Sequence, residues 1–218
     1  MGKVKQYCKE SEKSHTKIFL TLYSRYLHWI YCELYMHMDF LLFFKQIIFY
    51  EDKNFEGHQY ECSGDCSDML CYLSCCNSIM VESGCFMIYE QPHFKGQQFL
   101  VRKGEYPDFK SWLGKNDCVC SCCEIPMTQG SSHEVKLFER MEYGGQMMAL
   151  VDDCPNVMDM FQTNHIFSCK VMSGSWLFFE QSNYKGRMYL IRPGEYTRFT
   201  EWGGLSAHVG SIKRITDY

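Results

Sequence analysis

Two short cysteine-rich segments carry the side chains of this sequence that are best suited to metal chemistry. CYLSCC spans Cys71 to Cys76 and CVCSCC spans Cys118 to Cys123, in a chain with 14 cysteines among 218 residues. Four cysteine thiolates commonly hold a structural zinc ion. The spacing argues against such a site, because it predicts Cys118, Cys120 and Cys122 on one face of a strand, with no second C-x-x-C pair at a zinc-finger distance. We therefore expect buried or edge thiols in a reducing cytosol, and no metal.

Serines, histidines and carboxylates form no recognisable catalytic set. HExxH, GxSxG, P-loop and paired-carboxylate motifs are absent from the sequence. Four serines recur at equivalent positions, but no His and Asp recur beside them as a nucleophile would require. They are Ser78, Ser121, Ser168 and Ser211. His58, His93, His133 and His208 fall in predicted turns, loops or a linker, where we expect solvated side chains. We predict no enzyme and no cofactor.

A nine-residue pattern recurs along the chain and must position these side chains. Each copy has an aromatic residue, Glu, three turn-like residues, a second aromatic residue, one variable residue and Gly. The copies are FYEDKNFEG (49–57), IYEQPHFKG (88–96), LFERMEYGG (137–145) and FFEQSNYKG (178–186). From about residue 47 onward, the chain is therefore predicted to be a fourfold repeat.

The repeats pair in the order ABAB, which predicts two similar domains. RKGEY (102–106) matches RPGEY (192–196), and Trp112 matches Trp202, both at an offset of 90 residues. We expect domains at 47–126 and 134–218, joined by a polar linker at 127–133. The predicted repeats span about 47–84, 85–126, 134–173 and 175–217. The cysteines do not recur between the halves and no cleavable signal peptide is recognised, so a secreted disulfide scaffold is disfavoured.

Residue choice predicts an all-β fold. The segments between turn signals are short and rich in aromatic or β-branched residues. In QQFLVRKGEY, alternation places Phe99 and Val101 on one face and Leu100 on the other. We expect two β-sandwiches with four strands per repeat.

The recurring residues have a mechanical interpretation. The repeat glycines mark sites that need a positive φ because a hairpin folds back over its own sheet; they are Gly57, Gly96, Gly145 and Gly186. The second aromatic residue of each copy should pack on the first, and each repeat-end serine should bond the folded turn of the next repeat. Tyr106 and Tyr196, each in a GEY turn, are predicted tyrosine corners.

Several segments resemble the γ-crystallins of the vertebrate eye lens. They are FYEDKNFEGHQYEC, CNSIMVESGCFMIYEQPHFKGQQF, GEYPDFKSWLG, DDCPNVMD and GSWLFFEQSNYKGRMYLIRPGEY, and the 14 methionines are similar to the methionine-rich γM type of fish lenses. The resemblance covers about Ile47 to Tyr218. It implies two domains of paired Greek-key motifs, no catalysis, and a refractive role in the cytoplasm of lens fibre cells. It also implies a monomer with weak contacts to itself and to other crystallins.

The resemblance further implies a domain interface and a set of core aromatic residues. The interface residues, spaced by 90, are Met87, Leu100 and Ile125 against Leu177, Leu190 and Ile215. The second domain keeps the tryptophan pair usual in the family, Trp176 and Trp202, whereas the first has Phe86 with Trp112.

Ligand binding is the alternative function. Many relatives of this family bind calcium through a loop that ends in two hydroxyl residues. Only Asn116 to Ser121 comes close, and Cys120 replaces a hydroxyl there, so we expect weak binding or none. A Greek-key binding module for glycans, lipids, calcium or thiolate-held metals stays open. Nucleic acid is not expected, because the net charge is −4 and no basic face is clustered.

Residues 1–46 match none of these patterns. Arg25, Glu33 and Asp39 interrupt the apolar run, so it is not predicted to span a membrane. Removing 4–46 restores the MGK opening followed by IIFYED that is common in γ-crystallins. We expect a disordered extension or a translated intron, the alternative being a genuine amphipathic helix.

Overall fold

The computed structural model describes residues 46–126 and 132–216, which form an all-β structure with one short α-helix. The predictions for the N-terminal extension and for most of the linker fall outside these residues. No helix in the described part of the chain is long and apolar enough to cross a membrane.

The first domain contains five antiparallel strands. They are β1 (Gln46–Tyr50), β2 (Gln59–Cys62), β3 (Ser78–Gln91), β4 (Lys95–Tyr106) and β5 (Ser121–Glu124). Their order is β2-β1-β3-β4, and β5 also pairs with β3. The register of β3 against β4 shifts between Val81 and Cys85, beside Gly84 with φ of +89°. This shift lets one long strand pass from one layer of the sandwich to the other.

The second domain divides the same arrangement into two sheets. Its strands are β6 (Glu134–Phe138), β7 (Met147–Leu150), β8 (Ser168–Ser173), β9 (Ser175–Gln181), β10 (Lys185–Ile191), β11 (Gly194–Tyr196) and β12 (Ser211–Ile215), with helix α1 at Val157–Phe161. One sheet has the order β7-β6-β8-β11 and the other β10-β9-β12. Gly174, with φ of +69°, separates β8 from β9 at the position equivalent to Gly84.

Each repeat lends a segment to the sheet of its neighbour, as a Greek key requires. β11, from the fourth repeat, pairs with β8 of the third, and the end of β4 pairs with the start of β3. In the opposite direction, Cys66 bridges to Cys122 and Cys154 to Ile212.

The prediction of four strands per repeat is wrong for the first and third repeats, where the third strand is reduced to one bridging residue. Pro155 follows Cys154 and has no N–H with which to extend the ladder. Carboxylates take the place of ladder carbonyls: Asp65 Oδ1 accepts from Glu124 N at 2.8 Å, and Asp153 Oδ1 accepts from Arg214 N at 2.9 Å.

Two separate apolar cores fill the sandwiches. The first includes Phe49, Phe86 and Trp112, and the second includes Trp176 and Trp202. A third buried cluster takes side chains from both domains. Strand alternation explains this division, because Phe99 and Val101 enter the first core while Leu100 packs on the third cluster.

Candidate functional site

The four folded hairpins share one backbone geometry. The repeat glycines have φ between +77° and +82°; they are Gly57, Gly96, Gly145 and Gly186. At Gly57 an added Cβ would lie 2.6 Å from Asp52 Oδ2, so space as well as φ favours glycine there.

The two residues that end each turn also have positive φ, which was not predicted from the sequence. In the first hairpin these are Asn54 at 58° and Phe55 at 65°. Such values are strained for a bulky aromatic residue. An edge-to-face contact with Tyr50, at 5.8 Å between ring centroids, holds the Phe55 ring. Equivalent contacts join Tyr89 to Phe94, Phe138 to Tyr143 and Phe179 to Tyr184.

Each repeat-end serine ties its hairpin to the sheet through two hydrogen bonds. Ser78 Oγ accepts from Phe55 N at 2.9 Å and donates to Asp52 O at 2.6 Å, and the serine is fully buried. Ser121, Ser168 and Ser211 make the corresponding pairs of bonds.

These bonds correct the expectation that each serine contacts the next repeat, since the hairpin belongs to its own repeat. The reason is strand order: β3 lies beside β1 with Ser78 opposite Tyr50, where the hairpin begins. A local signal along the chain could not reveal this pairing, because it depends on which strands become neighbours.

The two GEY turns place a tyrosine hydroxyl on the main chain four residues upstream. Tyr196 Oη donates to Arg192 O at 3.1 Å and accepts from Arg192 N at 3.2 Å. Tyr106 makes the same two bonds with Arg102, at 3.1 and 3.0 Å. Burial raises the pKa of Tyr196, so this hydroxyl keeps its proton to a higher pH than an exposed tyrosine does.

The core aromatic residues are all buried, with the first domain carrying one fewer indole. Phe86 and Trp176 occupy equivalent strands and are both fully buried. Trp176 Nε1 donates to Ser173 O at 3.2 Å; phenylalanine offers no such donor. Trp112 and Trp202 end equivalent 3₁₀ turns.

The interface cluster brings together the six apolar residues that the resemblance implied, which are spaced by 90 positions. Five are buried and the sixth, Leu100, is partly buried against them; the buried five are Met87, Ile125, Leu177, Leu190 and Ile215. The cluster also contains four buried residues that sequence reasoning missed, namely Cys85, Tyr89, Cys123 and Phe179. The alternation of side chains along β3, β5 and β9 could have revealed these four residues. Cys85, Met87 and Tyr89, for example, share one face of β3.

Polar bonds across the interface surround this apolar cluster. Arg192 Nη2, from the second domain, donates to Glu124 O at 2.7 Å, and its guanidinium pairs with the Asp65 carboxylate at 3.3 Å. In the opposite direction, Arg102 Nη1 donates to Thr216 O at 3.0 Å. These bonds fix the register of the domains because a guanidinium requires acceptors in defined directions.

A cavity of about 210 Å³ lies between the domains, beside these bonds. Tyr89, Cys123, Arg192 and Trp202 are among its lining residues. Tyr89 Oη and Cys123 Sγ are 3.4 Å apart, and burial raises the pKa of both groups. Asp65 neutralises the guanidinium, so the cavity presents no free cationic end.

The cysteine segment 118–123 does not form the strand face that was expected. β5 begins at Ser121, Cys118 is exposed and Cys122 is buried. The reason is a turn in which Asn116 Oδ1 accepts from Cys118 N at 3.2 Å, which folds the chain instead of extending it. Among residues 46–126 and 132–216, no three His, Cys, Asp or Glu side chains are grouped to hold a metal ion.

Two of the four histidines expected in solvent have a side-chain ring contact, namely His133 and His208, whose ring meets that of His165 edge to face at 5.7 Å. His133 is half-buried, its Nε2 lies 3.0 Å from Ile215 O, and its ring meets Trp176 edge to face at 5.7 Å. His58 and His93 are exposed, and His208 is half-buried. The sequence could not reveal the His133 contact because β12 is remote along the chain.

Comparison with known proteins gives consistent matches over both domains. The family model described as Beta/Gamma crystallin matches residues 46–125 and 134–215. Gamma-crystallin S-1 of Chiloscyllium indicum is 52% identical over 172 residues, covering 79% of this chain and 99% of the relative. Gamma-crystallin M2 of the same species is 49% identical, covering 79% and 97%. Gamma-crystallin B of Homo sapiens is 50% identical, covering 79% and 98%.

Proposed function

Since the chain belongs to the beta/gamma crystallin family, we propose that it is a structural protein of the eye lens that contributes transparency and a high refractive index. The observation that carries this proposal is the identity of about half of the aligned residues with γ-crystallins over nearly their whole length.

Composition supports the refractive part of the proposal. Aromatic residues make up 16% of the chain, which also contains 14 methionines and 14 cysteines. Aromatic rings and sulfur are polarisable, and polarisability per unit mass sets the refractive increment. We expect an increment above that of an average globular protein.

The anchored hairpins and the buried interface support the transparency part. A concentrated protein solution scatters little light only when its molecules are compact and attract one another weakly. The serine bonds and tyrosine corners restrain the turns, and the interface cluster holds the domains together. We place the protein in the cytoplasm of lens fibre cells, as a monomer with weak contacts to itself and to other crystallins.

No catalytic reaction is part of the proposal. The four recurring serines donate their hydroxyl protons to backbone carbonyl groups, which is a structural use of the side chain. The family is a structural one.

Expression and refraction test the proposal together. Labelling of eye sections for the transcript and the protein is expected to give abundant signal in lens fibre cells. Refractometry of the purified full-length protein is expected to give an increment above that of a globular protein of average composition. Signal confined to other tissues, with specific retention on a glycan array or on lipid vesicles, would instead support a Greek-key binding module.

A further inference from the structure

Two histidines of the second domain lie opposite each other on neighbouring segments of the chain. His165 lies shortly before β8 and His208 shortly before β12, and the two residues form an isolated antiparallel bridge. The main-chain bonds that flank them run from Ile166 N to Ala207 O at 2.7 Å and from Val209 N to Asn164 O at 2.8 Å. His165 and His208 are therefore a non-hydrogen-bonded pair, the arrangement that brings opposite side chains of an antiparallel ladder closest together.

Burial of the residues that follow directs both imidazole rings outward. Ile166 and Val209 belong to the core of the second domain. Because side chains alternate between the two faces of an extended segment, the two histidines point away from that core. His165 is exposed and His208 is half-buried. A small solute can therefore reach both rings.

Side-chain hydroxyl groups fix the backbone of each histidine. His165 N donates to Thr163 Oγ1 at 3.2 Å, and His208 N donates to Ser206 Oγ at 3.3 Å. Together with the bridge, these local bonds hold the two histidines opposite each other. Little backbone entropy is therefore lost when both rings bind the same ligand.

The two rings are in contact, and their nitrogen atoms have no competing protein partner. The ring centroids are 5.7 Å apart, with an angle of 78° between the ring planes. Within residues 46–126 and 132–216, no hydrogen bond joins a ring nitrogen of either histidine to another residue. His133 differs, since its Nε2 lies 3.0 Å from Ile215 O. Each ring of the His165–His208 pair thus keeps a nitrogen lone pair available for a ligand.

Aromatic side chains support the ring of His165 on one side. This ring lies nearly parallel to that of Phe167, with 6.5 Å between the centroids and 22° between the planes. The Phe167 ring in turn meets Phe199 edge to face at 6.1 Å. Packing on Phe167 restricts the orientation of the His165 ring, so the His208 ring makes most of any adjustment to a ligand.

We propose that His165 and His208 form a two-imidazole site for a divalent transition-metal ion, such as Zn²⁺ or Ni²⁺, with water completing the coordination. This inference does not depend on the tissue in which the protein acts.

The chemistry and spacing of the pair fit such an ion. Imidazole nitrogen binds zinc, copper and nickel well, whereas calcium and magnesium prefer oxygen ligands. A bound zinc ion lies about 2.0–2.1 Å from each imidazole nitrogen. The nitrogen that faces the other ring lies closer to it than the centroid does, so an ion fits between rings whose centroids are 5.7 Å apart. The edge-to-face rings need only a rotation about χ2, which is a broad torsion in histidine.

The ligand set predicts weak, exchangeable binding. In the part of the chain that the structure describes, no three His, Cys, Asp or Glu side chains are grouped to hold a metal ion. A structural zinc site has a closed set of protein ligands, whereas open positions are taken by water or by an added ligand. The His165–His208 pair therefore leaves positions at which an added chelator can share the ion.

The first domain has thiols instead of imidazoles at the equivalent positions. These residues, 90 positions earlier, are Cys75 and Cys118. Cys75 Sγ lies 3.5 Å from Glu51 O, and Cys118 is exposed. Because thiols also bind zinc and nickel, the test has to observe the histidine rings themselves and not only the amount of metal bound.

Nuclear magnetic resonance of the full-length reduced protein provides this observation. The probe is Ni²⁺-nitrilotriacetate, a paramagnetic chelate that keeps adjacent coordination positions open for imidazole. We expect the ring signals of His165 and His208 to broaden at the lowest concentration of the chelate. His58 and His93 lie in different hairpins and serve as single-histidine references. Broadening of either reference before the pair would overturn the proposal.

Metal ions without the chelator test the preference for imidazole. Zn²⁺ is diamagnetic and should shift the ring signals of His165 and His208 without broadening them. Ca²⁺ at the same concentration should leave these signals in place. Equal shifts with both ions would contradict a site built from imidazole nitrogen, and so would unchanged ring signals with Zn²⁺.

Variants test whether the two rings act together. His165→Asn and His208→Asn should each weaken binding of the nickel chelate by about 100-fold, because the second bond to a shared ion is intramolecular. His58→Asn, at an exposed position of the first domain, is the matched control and should bind as the parent chain does. If circular dichroism shows that His208→Asn is misfolded, the exposed His165→Asn decides alone. Parent-like affinity in a folded variant of the pair would show that the rings only contact each other, and the proposal would fail.

Discussion

The side-chain carbonyl of Gln98, in the first domain, accepts a hydrogen bond from the backbone N–H of Leu190, in the second, at 2.9 Å. Gln98 is 6% exposed. β4 and β10 are both edge strands of their sheets. The backbone N–H of Leu190 therefore has no neighbouring strand to bond, and without the Gln98 side chain it would be buried without an acceptor. The residue 90 positions further on, at the equivalent place in the second domain, is Met188, whose side chain has no amide oxygen with which to make the same bond to the first domain.

Gln98→Ala should therefore destabilise the domain pair by about 1–3 kcal/mol, the typical cost of a buried donor that loses its acceptor. Equilibrium unfolding in urea measures this change. Gln97→Ala, at the adjacent partly exposed position, is the matched control and should fall within about 0.5 kcal/mol of the parent chain. Equal effects of the two substitutions would show that the interdomain bond contributes little.

Leu190→Asp should uncouple the unfolding of the two domains. Leu190 is 8% exposed and belongs to the interface cluster, not to either domain core. A carboxylate there would be buried without a cation, so the interface should open while each core persists. Calorimetry should then resolve two transitions. Leu205→Asp, at a position 68% exposed, should leave the profile unchanged; a single unshifted transition for Leu190→Asp would refute the role of this interface.

Tyr196→Phe should lower the stability of the second domain by about 1–3 kcal/mol, because Arg192 N and O lose their partner. The effect should extend to the interface, since the Arg192 side chain bonds Asp65 and Glu124. Thermal unfolding measures the loss. Tyr143→Phe removes only an exposed hydroxyl contact of 3.3 Å with Glu195 and should be nearly neutral. Similar midpoints for both variants would contradict the tyrosine-corner assignment.

Gly57→Ala should cost about 1–2 kcal/mol, the penalty for a side chain in the left-handed region. Its φ is +80°, and the new Cβ would also displace the Asp52 carboxylate. Gly64→Ala, in the same domain, is the matched control, because nothing lies within 4 Å of its added Cβ. Chemical denaturation compares the two variants. No difference between them would mean that the hairpin does not require glycine.

Local pattern was sufficient for much of the fold. Alternation around Leu100 separated the core face from the interface face, and the aromatic–Glu–Gly pattern located the four hairpins. The expectation that each serine bonds the next repeat was wrong, because the partner depends on strand order and not on distance along the chain. The prediction that the cysteines from Cys118 to Cys122 line one face of a strand was wrong for a related reason. The Asn116 side chain accepts a hydrogen bond that turns the backbone before β5 begins.

The sequence by itself determined the features that depend on short-range chemistry: the repeat, the glycine turns, the tyrosine corners and the alternation of side chains between the two faces of a strand. Each follows from side-chain periodicity or from the φ values that a residue tolerates. Only the tertiary structure decided which distant groups meet. Cys62 and Cys122 are 60 residues apart, and Gln98 and Leu190 are 92 apart. Such contacts arise when two sandwich layers and two domains come together, because the geometry of packing, and not the spacing along the chain, selects the partner.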